Sequence, residues 1–497
     1  MMRMISRRRF LMSGAAGLAA GPVLGGAPEV SLKPVSRPGD IVRRFHPQPS
    51  DLIAEAKLGG EVGFVALRAS DGAVLEQVSG GAGLPPASVA KALTACYAIR
   101  ILGPDHRFAT RLLATGPVID GELRGDLVLA GGGDPTLDTD ALALLARQLK
   151  DAGVRKVSGR FEVWGGALPY ARAIDPDQPD QVGYNPAVSG LCLNFNRVHF
   201  EWRRTGSSYA VTMDARSASH RPDVRVARME VVARDAPIYT YRSAEGQDLW
   251  TVAHGALGKG GARWLPVRKP EIYAGEVFQS FAKSHGIALA APALRDSAAQ
   301  GAELARVESA RLETIVVDML KHSTNLTAEA IGMAATTALS GRPKDIAASA
   351  REMGQWFRAQ TGISDMALVD HSGLGDRSRI SAQSMARALW VMRGRVDIKA
   401  MMKAFTMRDG GGKPDPDHPV AVQAKTGTLN FVSGLAGYAD LSDGSEVVFA
   451  IFCADVPRRA GLGREERENP AGASAWNRRA KSLQQALIER WDVMYRA

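Results

Sequence analysis

The sequence predicts a mixed α/β fold in which regions of helices and strands at both ends of the chain enclose a β-rich insert. Residues 88–102 are predicted to form a helix that is apolar almost all round, and such a helix must be buried between other layers. Short strand-like runs separated by Gly, Pro and Asp fill residues 110–305. Helical spacing of apolar residues returns after residue 310.

The two ends of the chain carry the clearest element signals. Two strands, 63–68 and 73–78, are joined at Asp71-Gly72, which is a strong hairpin signal. Two helices are predicted near 312–320 and 326–339. The final third is predicted to contain three strands and a closing helix, at residues 421–424, 434–438, 447–453 and 480–494.

The insert shows strand-like runs and no strong helical pattern. Its predicted strands are residues 128–130, 157–163, 198–202, 209–213 and 229–232. Gly, Pro and Asp between such runs are typical of short strands joined by turns. The glycine run at 131–133 lacks the spacing of a phosphate-binding loop and predicts a tight turn.

The bulk composition is that of a globular protein without a nucleic-acid site. Of the 497 residues, 45% are apolar and 23% charged, and this length allows two to four domains with a substantial core. The formal net charge is +10, of which four arginines in the first nine residues contribute +4. No block of Lys and Arg is interleaved with aromatic residues, so nucleic acid is not a predicted partner.

The N-terminal segment, residues 1–27, is predicted to be a signal peptide. Arg7, Arg8 and Arg9 precede Phe10 and a short run of mainly Gly and Ala, which describes a cleavable export signal. Adjacent arginines resemble a twin-arginine signal, and an unstructured basic tail is the alternative. Residues 28–49 are predicted to be a Pro-rich linker. No later run reaches 18 apolar residues, so a soluble periplasmic protein is expected.

Three cysteines, Cys96, Cys192 and Cys453, show neither metal-ligand spacing nor a disulfide framework. Cys96 and Cys453 lie in apolar runs and are predicted to be small buried hydrophobic residues. Whether two of the three pair after export is left open. The sequence therefore predicts no metal site.

Ser88 and Lys91 place a hydroxyl and an amine on one face of the apolar helix. A serine becomes a good nucleophile when a base takes its proton, and a lysine is such a base once burial or nearby cations lower its pKa. The helix start also offers backbone N–H groups to an oxyanion. Alone the pattern is weak, because Ser280 and Lys283 repeat it on a polar helix face, and helix capping explains Ser88 equally well.

Two further motifs have both a structural and a chemical interpretation. Ser323-Thr324-Asn325 lies between two predicted helices, where capping alone favours these residues. In a cleft, the Ser323 hydroxyl would relay a proton to a leaving amine and Asn325 would hydrogen-bond a substrate backbone. Lys425-Thr426-Gly427-Thr428 ends a predicted strand, and these residues suit either carboxylate recognition or an ordinary turn.

Together the motifs are far more specific. S-x-x-K, S-x-N and K-T-G in this order are the signature of penicillin-binding proteins and class A β-lactamases, and the last two motifs each occur once in the chain. The wide gap between Ser88 and Ser323 resembles the S13 peptidases, the low-molecular-mass class C penicillin-binding proteins, because a β-lactamase leaves far less room there. The matching segments are 86–91, 102–104, 126–137, 194–198, 370–374, 425–429 and 435–438.

The resemblance implies a domain organisation and a reaction. A penicillin-recognising domain with an antiparallel sheet flanked by helices would be built from residues 50–109 and 308–497, and β-rich domains would be inserted over 110–307. The enzyme would be a serine-type D-Ala-D-Ala carboxypeptidase, with endopeptidase activity left open. Peptidoglycan stem peptides would be its substrates and β-lactams its covalent inhibitors, without a metal or cofactor.

The resemblance also implies a role for each motif residue. Ser88 would attack the D-Ala carbonyl with Lys91 as its base, and Ser323 would pass a proton to the departing D-Ala. Asn325 would hold the donor peptide, and Lys425 would order this network. The substrate-binding residues would be Thr426, Gly427, Thr428 and Asn430, with the terminal carboxylate on the two threonines. The oxyanion hole would be the backbone N–H groups of Ser88 and Thr428.

Two departures from the family pattern leave the substrate pocket open. The family often has Ser-Arg after Ser-Gly-Leu, where this chain has Gly375-Asp376-Arg377, so either Arg377 substitutes or the pocket differs. Asp180 is the candidate for an acidic residue of the insert. His322 and His371 neighbour matched motifs and receive no catalytic role.

Two other functions compete with the peptidase. A β-lactamase or esterase of the same fold would differ in deacylating quickly. A catalytically silent wall-binding scaffold would not need the intact motif residues. The oligomeric state, the third stem-peptide residue and any membrane association are left open.

Overall fold

The computed structural model describes residues 46–298, 300–409 and 411–495. The predicted signal peptide and most of the predicted linker lie outside these residues. Pro47–Ala497 form one compact unit. Within the described ranges, no helix has the length and apolar character needed to cross a membrane. The same residues contain no group of three or more His, Cys, Asp or Glu side chains that could hold a metal ion.

The described residues contain eleven α-helices. In chain order these are α1 Pro49–Ala56, α2 Ala90–Leu102, α3 Thr139–Asp151, α4 Pro270–Ser284, α5 Leu312–His322, α6 Asn325–Ser340, α7 Ile346–Thr361, α8 Ala382–Met392, α9 Ile398–Met401, α10 Val456–Ala460 and α11 Ala473–Tyr495.

Twenty β-strands accompany them in the same part of the chain. They are β1 Glu61–Arg68, β2 Val74–Val78, β3 Ala109–Ala114, β4 Val118–Ile119, β5 Glu122–Leu123, β6 Leu127–Gly131, β7 Lys156–Val157, β8 Phe161–Trp164, β9 Arg197–Thr205, β10 Ser208–Asp214, β11 Ala227–Val232, β12 Tyr239–Ala244, β13 Gln247–Ala253, β14 Gly260–Pro266, β15 Ala293–Leu294, β16 Ala302–Glu308, β17 Ala404–Phe405, β18 Ala421–Leu429, β19 Val432–Asp440 and β20 Glu446–Ala454.

A six-stranded sheet joins the two ends of the chain, in the order β17-β18-β19-β20-β1-β2. All its neighbouring strands are antiparallel. β1 pairs with β20 along its whole length, from Glu61 opposite Ala454 to Arg68 opposite Val447. The predicted hairpin, strand meander and antiparallel sheet are therefore confirmed.

Helices cover both faces of this sheet. On one face α2 is buried from Ala90 to Ile99, as its apolar sequence predicts, and it contacts α5, α6 and α8. On the other face α11 packs Trp476, Leu487 and Trp491 against the sheet in a separate apolar cluster. Because α2 is held on all sides, the turn at its start, which carries Ser88, has a fixed position.

The segment between β2 and α5 forms further sheets, with a mixed five-stranded sheet in the order β15-β8-β6-β3-β16. The prediction of an insert without strong helices was wrong, because α3 packs there against α4, which includes the helix predicted around Ser280 and Lys283. Helix α3 has the usual signals, an Asp138 N-cap and apolar residues on one face at Leu142, Leu145 and Leu149. The domain boundaries at 110 and 307 stay predictions.

The single strand predicted at 157–163 was wrong: β7 and β8 lie in different sheets, and the chain between them passes so close to Gly125 that a Cβ on Gly159 would overlap its carbonyl.

All three cysteines are free and buried. This confirms the prediction for Cys96 and Cys453, and burial raises the pKa of each thiol to about 12.

Candidate active site

Ser88 lies half-buried in a single 3₁₀ turn, Ala87–Val89, that leads directly into α2. Ala87 has a φ of +47°, a left-handed conformation that costs a non-glycine residue about 1–3 kcal/mol and persists only where the surroundings enforce it. Strand β18 supplies one such neighbour. A Cβ on Gly427 would lie 2.7 Å from the Pro86 carbonyl oxygen and 3.1 Å from the Ser88 nitrogen, so glycine permits this close approach.

Lys91 is fully buried in the first turn of α2. Its Nζ donates to Ser88 Oγ at 2.9 Å, to Asn325 Oδ1 at 2.7 Å and to the Ser372 carbonyl at 2.7 Å. These acceptors match the three protons of an ammonium group. Burial, followed by the charge of nearby Lys425, lowers the pKa of Lys91 to about 7. The amine is therefore able to exchange a proton with Ser88 near neutral pH.

The bend between α5 and α6 holds the second motif, as the sequence predicts. Ser323 ends α5 with a φ of +59°, and Asn325 is the first residue of α6. Lys425 Nζ, on β18, donates to Ser323 Oγ at 3.0 Å and to the Thr426 carbonyl at 2.7 Å. Lys425 is 2% exposed, and burial together with Lys403 lowers its pKa to about 8.

The remaining predicted binding residues lie along and beyond β18. Thr426 and Thr428 are exposed, whereas Gly427 is buried against the Ser88 turn. Edge strand β17 pairs only with Val422 and Gln423 of β18. Asn430 is hydrogen-bonded to the segment that follows β20: its Nδ2 donates to the Arg467 carbonyl at 2.5 Å, and its carbonyl accepts from Arg459 at 3.1 Å.

A buried loop, residues 370–375, supports Lys91 from behind; its first five residues match the family pattern, but the sequence indicated no contact between them and Lys91. The backbone N–H groups of His371 and Ser372 donate to the Glu329 carboxylate at 3.0 and 2.9 Å. Asp370 accepts from Gly373 at 2.7 Å and from Gly375 at 2.5 Å. Both carboxylates are almost completely buried, and burial raises the pKa of each. The loop thereby presents the Ser372 carbonyl to Lys91.

A second loop reaches the site from the insert. Asn325 Nδ2 donates to the Tyr184 carbonyl at 2.9 Å. The loop is held by Arg268, which is 3% exposed and donates to the carbonyls of Arg172, Asn185 and Asp180 at 2.9, 2.7 and 2.9 Å. The insert therefore fixes the amide that accepts a hydrogen bond from Lys91.

Asp180 and Arg377, the two candidates for the substrate pocket, are not hydrogen-bonded to the motif side chains. Asp180 forms ion pairs with Arg172 and Arg464, at 3.1 and 3.2 Å. Arg377 is exposed and lines a separate cavity with Asp175. The neighbouring Asp376 pairs instead with Arg459 and Arg467.

The histidines beside the motifs are not hydrogen-bonded to the motif side chains. His371 is fully buried, its Nε2 lies 2.7 Å from Ser349 Oγ, and burial lowers its pKa to about 3. His322 is exposed at the end of α5. The chemistry available at this site therefore belongs to serines and lysines.

Comparison with known proteins places this geometry in a family. A family model described as the D-Ala-D-Ala carboxypeptidase 3 (S13) family matches residues 48–471. The chain belongs to the S13 family. The resemblance drawn from the motifs is confirmed, because the match covers most of the sequence.

Two curated relatives agree with S13 membership over most of their length. The D-alanyl-D-alanine carboxypeptidase DacB of Haemophilus influenzae is 25% identical over 430 residues, covering 81% of this chain and 87% of that protein. A D-alanyl-D-alanine carboxypeptidase of Actinomadura sp. (strain R39) is 27% identical over 443 residues, covering 80% and 79%. A serine carboxypeptidase is the class of enzyme that S13 membership supports.

A solved structure shares the S13 fold. The crystal structure of penicillin binding protein 4 (dacB) from H. influenzae superposes with a TM-score of 0.75 at 20% identity, covering 90% of this chain and all of that one. The same protein complexed with a β-lactam gives a TM-score of 0.69 at 20% identity, with 89% and 100% covered. The predicted mixed α/β fold is confirmed.

Proposed function

We propose that this S13 family member is a serine-type D-Ala-D-Ala carboxypeptidase that cleaves peptidoglycan stem peptides through an acyl-enzyme. One observation carries the proposal: the Nζ of a buried lysine, Lys91, contacts both Ser88 Oγ and Asn325 Oδ1, at 2.9 and 2.7 Å. Beside it, Lys425 contacts Ser323 at 3.0 Å. The two curated relatives named as carboxypeptidases support the choice of substrate.

In the acylation step, Ser88 Oγ bonds to the carbonyl carbon of the penultimate D-Ala while Lys91 Nζ takes the hydroxyl proton. A pKa of about 7 leaves about half of the Lys91 side chains neutral at pH 7. The oxyanion is stabilised by the backbone N–H groups of Ser88 and Thr428. Asn325 holds the peptide on the acyl side of the scissile bond.

The second half of the step expels the terminal D-Ala. The C–N bond breaks as the Ser323 hydroxyl donates a proton to the leaving amine. Ser323 is reprotonated by Lys425, its hydrogen-bond donor at 3.0 Å, and the proton that Lys91 took from Ser88 replaces the one lost by Lys425. The terminal carboxylate binds at Lys425, Thr426 and Thr428, beside Gly427, because a buried cation followed by exposed hydroxyls suits an anion. Water then attacks the ester carbon while Lys91 takes its proton; the bond from the acyl carbon to Ser88 Oγ breaks, and Lys91 returns the proton to Ser88.

A β-lactam acylates Ser88 in the same way as the peptide, but the resulting acyl-enzyme is hydrolysed slowly. Ser88 opens the lactam ring, and the amine that is expelled stays covalently attached to the acyl group, where it blocks water. We therefore propose β-lactams as covalent inhibitors. The related H. influenzae protein crystallised in complex with a β-lactam supports this choice.

The protein acts outside the cytoplasm in this proposal. Homologues that act on the cell wall are consistent with a periplasmic location. Export by a twin-arginine signal in residues 1–27 is the finer proposal, and it rests on the arginines at positions 7 to 9.

Digestion of purified muropeptides, with the products identified by mass, tests the proposed reaction. Release of D-Ala from pentapeptides by the wild type but not by Ser88→Ala is expected. Cleavage of cross-linked dimers would add endopeptidase activity to the same site. Rapid turnover of penicillin with no change in any muropeptide would instead indicate a β-lactamase.

A further inference from the structure

A pocket of about 140 Å³ opens beside the bend between α5 and α6. Its lining includes Tyr184, Phe195, Arg197, His322, Ser323 and Asn325. Two of these side chains, Ser323 and Asn325, are hydrogen-bonded to Lys425 and Lys91 respectively. The pocket therefore adjoins the proposed catalytic side chains directly, although the reaction derived above makes no use of it.

The guanidinium of Arg197 is the cation of this pocket. Its Cζ lies 5.1 Å from the centre of the Phe195 ring and 5.6 Å from that of Trp264. Two aromatic neighbours restrict the orientation of a planar guanidinium and partly stabilise its charge. The Gly183 backbone covers the side-chain stem, since a Cβ there would lie 3.6 Å from Arg197 Cδ.

Arg197 has no anionic partner among the residues that the structure describes. Its Nε is buried without an acceptor, and within the described residues its guanidinium makes neither an ion pair nor a hydrogen bond. None of the described residues lining the pocket is Asp or Glu. Burial lowers the pKa of Arg197, but an arginine stays charged in proteins. Arg197 is half-buried, so its charge is partly desolvated and has no partner that offsets this cost.

Three arginines that are more deeply buried than Arg197 show the contrast. Arg459 pairs with Asp376, and Arg490 pairs with Glu76 at 2.9 Å. Arg268 donates to three backbone carbonyls. A carboxylate or backbone carbonyls of the protein compensate each of these charges. The Arg197 side chain instead lines the pocket beside Ser323 and Asn325.

We propose that Arg197 binds a carboxylate of the stem peptide next to the scissile bond. A guanidinium fork matches a carboxylate with two parallel hydrogen bonds, and a pocket of this size next to Ser323 and Asn325 admits the end of a side chain from a peptide bound there. The proposal rests on the proposed carboxypeptidase function. The carboxylate belongs either to the acyl side of the bond or to the leaving side.

Two pairs of synthetic peptides ending in D-Ala-D-Ala or D-Ala-D-Xaa test this site. In one pair the residue before D-Ala-D-Ala carries a side-chain carboxylate or the matching carboxamide, and in the other pair the leaving residue does. KM and kcat are measured for the wild type, Arg197→Met and Arg197→Lys. Arg387→Met is the control, because Arg387 also stacks on an aromatic ring, 4.6 Å from Trp390, but does not line the pocket.

The readout is the ratio of the two KM values within a pair, since the carboxamide peptide reports any general damage to the site. We expect Arg197→Met to reduce the preference for the carboxylate roughly tenfold in one of the pairs, which identifies the side that is bound. Arg197→Lys should retain part of the preference, and Arg387→Met should retain all of it.

An unchanged ratio in both pairs for Arg197→Met would overturn the proposal, whether or not both KM values rise together. Failure of the proposed function is distinguishable from this result. In that case the wild type would release the C-terminal residue, D-Ala or D-Xaa, from none of the four peptides and would not be labelled by a fluorescent penicillin.

Discussion

The backbone carbonyl of Ser372 accepts a hydrogen bond of 2.7 Å from the Nζ of Lys91. The N–H of the same residue donates to Glu329 at 2.9 Å. Glu329 lies four residues after Asn325 on α6, so one helix face carries both the amide that contacts Lys91 and the carboxylate that holds the loop. The position of the proposed base thus depends on a carboxylate that does not touch it.

Replacing Glu329 with Gln should weaken both the fold and the reaction. The amide oxygen can accept one of the two backbone N–H groups, but the amide nitrogen would face the other and leave it unsatisfied, at about 1–3 kcal/mol. We expect a lower free energy of unfolding in denaturant titrations and slower acylation by a chromogenic cephalosporin. The surface variant Glu313→Gln should change neither, and equal behaviour of the two variants would contradict a positioning role for Glu329.

Gly373→Ala should abolish acylation. Gly373 has a φ of +73°, and a Cβ there would overlap the carbonyl oxygen of Ala87, in the turn that carries Ser88. Gly362→Ala is the matched control, because Gly362 has a φ of +74° with nothing within 4 Å of an added Cβ. The control should lose only about 1–2 kcal/mol of stability and keep full penicillin labelling. Full labelling of Gly373→Ala would show that this contact is dispensable.

Acylation should have a bell-shaped pH dependence with its maximum between the pKa values of Lys91, about 7, and Lys425, about 8. Below the first value Lys91 is protonated and cannot accept the Ser88 proton, so the rate rises with pH. Above the second value Lys425 loses the charge that attracts the substrate carboxylate, so the rate falls.

The rate of acylation by a chromogenic cephalosporin, measured from pH 5 to 10, tests both limbs. Lys425→Arg should move the descending limb to higher pH, because a guanidinium stays charged there. A rate that does not change between pH 5 and 7 would argue against Lys91 as the base.

Arg268→Met should loosen the loop that leads to Tyr184. Loss of the guanidinium leaves three backbone carbonyls without their donor, and the loop includes Arg172, a site for trypsin. We expect faster tryptic cleavage after Arg172 together with slower acylation, since the Tyr184 carbonyl accepts from Asn325. Arg295→Met, which removes an ion pair with Glu162 elsewhere in the insert, should leave both rates unchanged.

The sequence predicted the motif residues well because each motif is local. Ser88 with Lys91 and Ser323 with Asn325 lie within one turn of a helix or one bend, and residue type alone carries that signal. The structure brings these residues together with Lys425, while their catalytic roles stay predictions. The hydrogen bonds to the carbonyls of Ser372 and Tyr184 could not be predicted from the sequence, because every residue type has a backbone carbonyl.

Two of the errors of prediction have long-range causes. The strand predicted at 157–163 is divided because Gly159 packs against Gly125, a contact that no local pattern shows. Asp180 was a candidate for the substrate pocket, yet it pairs with Arg464 from near the end of the chain. By contrast, α3 was missed although its helical spacing and its Asp138 cap are visible in the sequence.

Labelling by a fluorescent penicillin tests the identity of the nucleophile most directly. Ser280 and Lys283 repeat the S-x-x-K spacing on an exposed face of α4, so Ser280→Ala removes an equivalent hydroxyl outside the site. Ser88→Ala should abolish labelling, whereas Ser280→Ala should be labelled as strongly as the wild type. Equal labelling of the two variants would contradict Ser88 as the nucleophile.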